Sequence, residues 1–274
     1  MAIDPTARVA AGARIGDNVE IGPYCIVGPQ VEIKSGARLL AHVHVTGVTT
    51  IGEGTVVYPF ASLGTPPQSV HYRGGATRLV IGARCELRES VTMNTGTEDG
   101  GAVTYVGERC FFMVGSHVGH DCHVGNDVTL ANNAVLGGHV RVGDYTFLGG
   151  HVAIHQFVRI GEGAMMAGMS AARDDIIPFG FALGQIAALV GLNTVGLRRR
   201  GATRAEMHRL RRAYRSLFFV AGRLADRIDA VEREFGDDAL VGKIVAFIRA
   251  GGKRPLMRPR TGGKADENGD DAAQ

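Results

Sequence analysis

One aliphatic residue in every six organises this chain. Ile3, Val9, Ile15, Ile21, Val27, Ile33, Leu39, Val45, Ile51, Val57 and Leu63 keep one phase, which returns at Ile81, Leu87 and Met93. The phase then slips by one residue and runs on through Val106, Phe112, Val118, Val124, Leu130, Leu136, Val142, Leu148, Ile154, Ile160 and Met166. Four positions after each sits a small residue, as at Ala7, Ala13, Val19, Cys25, Val31 and Ala37, and later at Val128, Ala134, Val140 and Thr146. A hexad with one large and one small inward residue, and a turn between them, describes one side of a triangular coil. Three such sides make one turn of a parallel β-helix. At about 4.8 Å per coil, eight or nine coils give a prism about 40 Å tall.

Composition agrees with a repeat architecture. The 274 residues include 40 glycines and no tryptophan, without a collagen triplet or a serine-rich tract. No apolar run reaches the length of about 18 residues that a membrane helix needs, and no charged-then-apolar leader opens the chain, so a cytoplasmic protein is expected. Cys25, Cys85, Cys110 and Cys122 all fall in the small inward slot and form no C-x-x-C pair, so they read as buried thiols.

Two stretches break the count. Residues 64–79 (GTPPQSVHYRGGATRL) have turn chemistry and read as a loop ejected from the prism. Residues 96–105 form a second, glycine-rich excursion. The period changes after about residue 190. Thr203-x-x-Glu206 is a capping box that opens an amphipathic helix to about Val220, with Leu210, Leu217 and Phe218 inward. Helices over about 222–234 and 238–249 follow. The expected division is a β-helix over 1–190, a helical domain over 191–251 and a disordered tail over 252–274. The net charge is only +3, yet eight arginines lie between Arg198 and Arg215. That run is either a solvated face or a landing site for phosphates or an acidic partner; no nucleic-acid partner is expected.

Histidines gather where the repeat does not demand them, in GSHVGHDCHVGNDV at 115–128. Counting each hexad from its aliphatic residue, His120 is third and Asp121 fourth. One coil up, those places hold Gly138 and His139; two coils up, Gln156 and Phe157, with His155 alongside. His117 sits just around the corner. Gly138 directly over His120 leaves an open notch beside an imidazole. His123 and His151 lie on other edges and read as surface residues.

GHDC, AIHQF and GLNTVGLRRRG after a hexapeptide domain resemble the UDP-N-acetylglucosamine O-acyltransferase family of lipid A synthesis, over about residues 3–250. The resemblance implies a left-handed parallel β-helix with a small helical C-terminal domain. It implies a homotrimer with sites between neighbouring prisms, and (R)-3-hydroxyacyl transfer from acyl carrier protein to the 3-position of the glucosamine of UDP-N-acetylglucosamine. The donor's phosphopantetheine arm belongs to the carrier, so neither a resident cofactor nor a metal is implied. His120 is then the general base, Asp121 its orienting partner and the Gly138 amide the oxyanion donor. Ser69, His71, His117, His139, His155, Gln156, Asn193, Arg199 and Arg200 match substrate contacts. Gly168, with Gly150 one coil below, matches the stop that measures the acyl tail.

The chain departs from the usual family pattern at several places. Ser69 stands for an aspartate, His71 for a lysine, Asn94-Thr95 for a His-Arg pair and Val195 for a glutamate. These changes leave open a 3-amino sugar nucleotide as acceptor. A different reading is a hexapeptide-fold zinc enzyme of the γ-carbonic anhydrase type, with His117 and His139 as ligands.

Overall fold

The computed structural model describes residues 2–259. Up to Ala172 the chain winds as a three-sided parallel β-helix of short strands. Neighbours within each of its three sheets are three strands apart in the chain. Ala2 pairs with Glu20 and His123 with Arg141, so three hexads make one coil, as the repeat requires. Every first-position aliphatic residue from Ile21 to Met166 is at most 4% exposed. The four cysteines are buried and free, as their slot requires. Burial pushes the Cys122 thiol up to about 12.

The turns share one device. The fourth residue of most hexads takes a left-handed backbone: Asp121 at φ 60°, Asn133 at 58°, His139 at 63° and His151 at 58°. This region is costly for residues with a side chain. In regular coils it aims the N–H along the axis at the third-position carbonyl of the coil below, whereas Asp121 N, above the second excursion, turns to a side-chain oxygen. His139 N donates to His120 O, Asn133 N to Val114 O and His151 N to Asn132 O, each at 2.9 Å. Those bonds lock turn onto turn and offset the local strain.

Register measures the excursions. Val56 pairs with Glu86, and Glu86 in turn with Phe111. The first step is longer than a regular coil by two hexads. The second is longer by one hexad and a single extra residue, which accounts for the slip in phase. Strands Ser62–Thr65 and Arg78–Ile81 recapture both ends of the first excursion, so it spans 66–77. Strand Val103–Val106 takes back the end of the second, which therefore spans 96–102. Both ejected segments are shorter than their turn-rich sequences suggest, because the ladder claims their edges.

An antiparallel hairpin, Gly180–Leu183 with Ala188–Leu192, closes the top of the prism. Four helices follow: α1 Thr194–Arg199, α2 Arg204–Phe218, α3 Leu224–Phe235 and α4 Ala239–Arg249. The short α1 carries no amphipathic signal and is not evident from the sequence. The capping box of α2 forms as expected, and Leu210 and Leu217 are fully buried, while Phe218 is half-buried. A buried ion pair ties this layer to the prism: Arg159 Nε lies 2.6 Å from Asp175 Oδ2, and its guanidinium sits over the Phe247 ring of α4.

The expected disordered tail needs correction at its start. Residues 252–259 return across the prism. Asp175 N donates to Pro255 O at 2.7 Å, Met257 N to Asp175 O at 2.8 Å and Leu189 N to Arg258 O at 3.2 Å. Met257 is 1% exposed. Average polarity hides two apolar residues, Leu256 and Met257, that fill a seam. The rest of that expectation, residues 260–274, lies outside the described residues.

Candidate active site

The prism has three edges, and the third position of each hexad marks which edge a residue occupies. Thr65, Thr95, His120, Gly138 and Gln156 fall on one of them. Both excursions therefore leave the prism on the edge that carries His120, two coils and one coil below it.

Asp121 is the buried centre of this edge; its side chain is 0% exposed and that of His120 11%. The carboxylate Oδ2 lies 2.8 Å from His120 Nδ1. Thr97 donates twice to the same carboxylate, from N to Oδ1 at 2.9 Å and from Oγ1 to Oδ2 at 2.6 Å. Asp121 N donates to Thr104 Oγ1 at 2.8 Å. The second excursion thus wraps the acid, so closely that a Cβ on Gly100 would meet Asp121 Oδ2 at 2.3 Å. An ionised carboxylate accepts only, so Nδ1 carries the imidazole proton and Nε2 keeps a free lone pair.

That lone pair lies under Gly138. A Cβ there would meet His120 Cε1 at 2.5 Å and Nε2 at 2.6 Å. Among the described residues no acceptor takes the Gly138 N–H. A neighbouring edge shows what an amide at this place in the turn binds. Asn126, third in its hexad, donates from N to Asp144 Oδ1 at 2.8 Å, and Glu108 N donates to Asn126 Oδ1 at 2.9 Å. On that edge two third-position amides thus take an oxygen from above, and glycine at 138 leaves room for one that is not the protein's own.

Other imidazoles complete the wall. His139 stands edge-on to His120 at 5.0 Å and stacks on Phe157 at 4.4 Å. Its pKa is lowered by burial; Asp121 opposes the shift, and His120 and Lys253 add to it. His117 Nδ1 is 2.8 Å from Thr92 Oγ1. Burial and then the neighbouring His120 lower its pKa, against a hydrogen bond to the Thr92 backbone. His155 and Gln156 are exposed one coil above Gly138.

The first excursion carries Ser69, half-buried, and His71, exposed; His71 N donates to Ser69 Oγ at 3.3 Å. Glu98 ties this loop to the second excursion by accepting from Gly75 N at 2.6 Å and Arg73 N at 3.3 Å. Asn94 is buried and donates to Thr65 Oγ1 and Pro66 O. Thr95 accepts from Thr77 Oγ1 at 3.0 Å. These two residues pin the root of the loop.

The remaining expected site residues are elsewhere in this chain. Asn193 caps α1, accepting from Gly196 N at 2.9 Å, while its Nδ2 donates to Gly163 O at 2.9 Å. Arg200 pairs with Glu162 at 3.5 Å and lies over the Tyr145 ring, on the edge of Asn126 and Asp144. Arg199 is exposed beside it. Gly168 stacks over Gly150 on the third edge, where a Cβ would lie 3.1 Å from Gly150 O. Neither glycine has a left-handed φ, so the turn itself does not require them.

Sequence reasoning missed Thr97, Thr104, Glu98, Lys253 and Arg254. Thr97 sits in a stretch that reads only as a glycine-rich turn, and the last two in a stretch that reads as tail. His120, Asp121 and His139 have potential metal-binding atoms within 4.8 Å of one another. His117, weighed as a zinc ligand, is outside that group. A metal there would have to displace His120 Nδ1 or the Thr97 hydroxyl from Asp121 Oδ2.

Comparison with known proteins supplies the context. A family model described as UDP N-acetylglucosamine O-acyltransferase, domain 2, matches residues 175–257, and the bacterial transferase hexapeptide model matches 12–47 and 104–138. The acyl-[acyl-carrier-protein]–UDP-N-acetylglucosamine O-acyltransferase of Azorhizobium caulinodans is 57% identical over 266 residues, 97% of this chain and 98% of that one. The protein of the same name from Rhizobium johnstonii is 47% identical over 262 residues, 96% of each. Among solved structures, the UDP-N-acetylglucosamine acyltransferase from Campylobacter jejuni is 39% identical, with a TM-score of 0.89, and is matched over 94% of this chain and 100% of that one.

Proposed function

Because the chain belongs to the UDP-N-acetylglucosamine O-acyltransferase family, with its left-handed parallel β-helix and small helical C-terminal part, we propose the following reaction at the His120 edge. An (R)-3-hydroxyacyl group passes from acyl carrier protein to the 3-hydroxyl of the glucosamine of UDP-N-acetylglucosamine, the first step of lipid A biosynthesis. The observation that carries this reading is an imidazole whose Nδ1 is held by a buried carboxylate while its Nε2 faces an open glycine notch.

The steps balance without a redox partner. The sugar 3-hydroxyl attacks the thioester carbonyl, and its proton passes to His120 Nε2. Asp121 stabilises the resulting imidazolium. The Gly138 N–H donates to the oxyanion of the tetrahedral intermediate. The C–S bond then breaks, and the proton held by His120 goes to the departing phosphopantetheine thiol of the carrier. No resident cofactor takes part.

Substrate recognition draws on more than one prism. His117, His139, His155, Gln156 and the loop bearing Ser69 and His71 line one edge, whereas Asn193, Arg199 and Arg200 lie on another and Gly168 on the third. One chain cannot close all three edges on one substrate. A homotrimer of parallel prisms supplies the missing edges from its neighbours, and Arg199 beside Arg200 offers positive charge to a diphosphate or an acidic carrier. Among the described residues no helix is long and apolar enough to cross a membrane, and we place the enzyme in the cytoplasm with its carrier and nucleotide substrates.

Mass spectrometry of the product from UDP-N-acetylglucosamine and 3-hydroxyacyl carrier proteins tests the reaction. An ester at the 3-position is expected. Transfer only to a 3-amino analogue would move the acceptor from oxygen to nitrogen, and stoichiometric zinc required for activity would favour the metalloenzyme.

A further inference from the structure

The C-terminal segment reaches the active edge from a distant part of the sequence. Arg254 donates from Nε to Gln156 O at 2.9 Å, and a second guanidinium nitrogen lies 2.7 Å from His155 Nδ1. A guanidinium has no acceptor, so His155 Nδ1 must be the unprotonated nitrogen, and the ring proton sits on Nε2. The longer contact from His155 Nδ1 to Gln156 O, 3.3 Å, goes to a carbonyl that Arg254 already satisfies. Next to it, the Lys253 ammonium stands 4.3 Å from the centroid of Phe157, whose ring stacks on His139. Lys253 has no carboxylate partner among the described residues. The top of the His120 edge therefore presents donors and positive charge; Asp174 follows Gln156 one coil up, but among the described residues neither Lys253 nor Arg254 is paired with a carboxylate.

We propose that this segment completes the acceptor site: Arg254 is a positioning residue that presents His155 as an Nε2–H donor, and Lys253 faces the diphosphate of the sugar nucleotide. The proposal rests on the proposed reaction and on reading His155 and Gln156, among its substrate contacts, as contacts to the acceptor. A diphosphate suits the site because it offers several anionic oxygens to donors spaced along one edge. Anchored by Asp175 and Met257, the segment holds the guanidinium in place before substrate arrives.

Steady-state kinetics of the full chain test it. Arg254→Ala is expected to raise the KM for UDP-N-acetylglucosamine about tenfold, the loss of a charge-assisted hydrogen bond. The KM for the acyl carrier protein donor and the melting temperature stay unchanged. Arg254 acts through His155, so Arg254→Ala combined with His155→Ala loses no more than His155→Ala alone. Lys253→Ala also raises the acceptor KM, and its effect multiplies with that of Arg254→Ala. If Arg254→Ala lowers the melting temperature, Arg254→Lys keeps the charge and one bond, and still raises the acceptor KM. An unchanged acceptor KM in both Arg254 variants, or effects of Arg254 and His155 that multiply, would overturn the role of Arg254. An unchanged acceptor KM in Lys253→Ala would overturn that of Lys253. An unchanged acceptor KM in His155→Ala instead overturns the site assignment beneath the proposal, and the proposal with it.

Discussion

Replacing Gly138 with alanine adds one carbon at the tightest point of the active edge. That carbon would stand 2.5 Å from His120 Cε1, 2.6 Å from Nε2 and 3.0 Å from Nδ1. Unbonded heavy atoms rest about 3.5 Å apart, so the imidazole must retreat by about 1 Å. It has little room to do so, since Asp121 holds Nδ1 at 2.8 Å and His139 packs edge-on at 5.0 Å. A misplacement of about 1 Å in a reacting group costs about 10²-fold in rate. Overpacking costs about 1–3 kcal/mol of stability, or about 2–4 °C of melting temperature per kcal/mol at this chain length. Gly150→Ala is the control. It occupies the same place in the turn on another edge, and its Cβ meets only Asn132 O at 3.5 Å. Turnover at saturating substrate and thermal melting are the assays. Gly138→Ala should lose about 10²-fold in kcat and a few degrees in melting temperature, while Gly150→Ala melts like the parent. A Gly138→Ala enzyme with parental kcat would refute the placement of His120 Nε2 under this glycine.

Thr97→Val removes the hydroxyl that donates to Asp121 Oδ2 but keeps the backbone donor; kcat should fall about tenfold with KM little changed, and Thr97→Ser should restore it. An equal loss in the serine variant, which keeps the hydroxyl, would mean that the bond to Asp121 is not what Thr97 contributes. Burial lowers the folded pKa of His117, so the unfolded chain binds more protons in that window. The stability from its neutral form is complete above about pH 6.5 and is lost as pH falls through the depressed folded value. His123 and His139 act in the same direction, both lowered chiefly by burial. Melting temperature should therefore drop from pH 8 to pH 5, less steeply in His117→Asn; equal slopes would contradict this. Gly168→Met should shift donor preference from about 12–14 carbons to shorter chains, at about 0.8 kcal/mol per buried methylene. Competition between donors of different length measures it, and an unchanged profile would reduce Gly168 to a turn residue.

Periodicity made much of this legible. A six-residue repeat places one large and one small side chain inside every face, so the prism, the buried cysteines and the shared edge of His120, Gly138 and Gln156 all follow from counting. The same count puts Gly168 over Gly150. Counting fails where the chain leaves the repeat. Thr97 acts from a short insert whose sequence signals only a turn, so nothing local reveals that it holds Asp121. Arg254 and Lys253 act from a polar stretch whose partners, His155, Gln156 and Phe157, lie far back in the chain. Arg200 follows the last coil, where register no longer assigns an edge, and only its contacts with Glu162 and Tyr145 locate it.

The account turns on His120 as the base, and His120→Ala tests that most directly. The residue lies on an edge of the prism and not in its aliphatic core, so the variant should fold, with its melting temperature lowered only by the loss of one donor to the buried Asp121. Its kcat should fall by about 10²–10⁴-fold, the usual loss of a general base, with the KM values little changed. A folded His120→Ala enzyme that turns over near the parental rate would contradict the mechanism, because no other imidazole on this edge has its Nδ1 on a buried carboxylate and its Nε2 in the glycine notch.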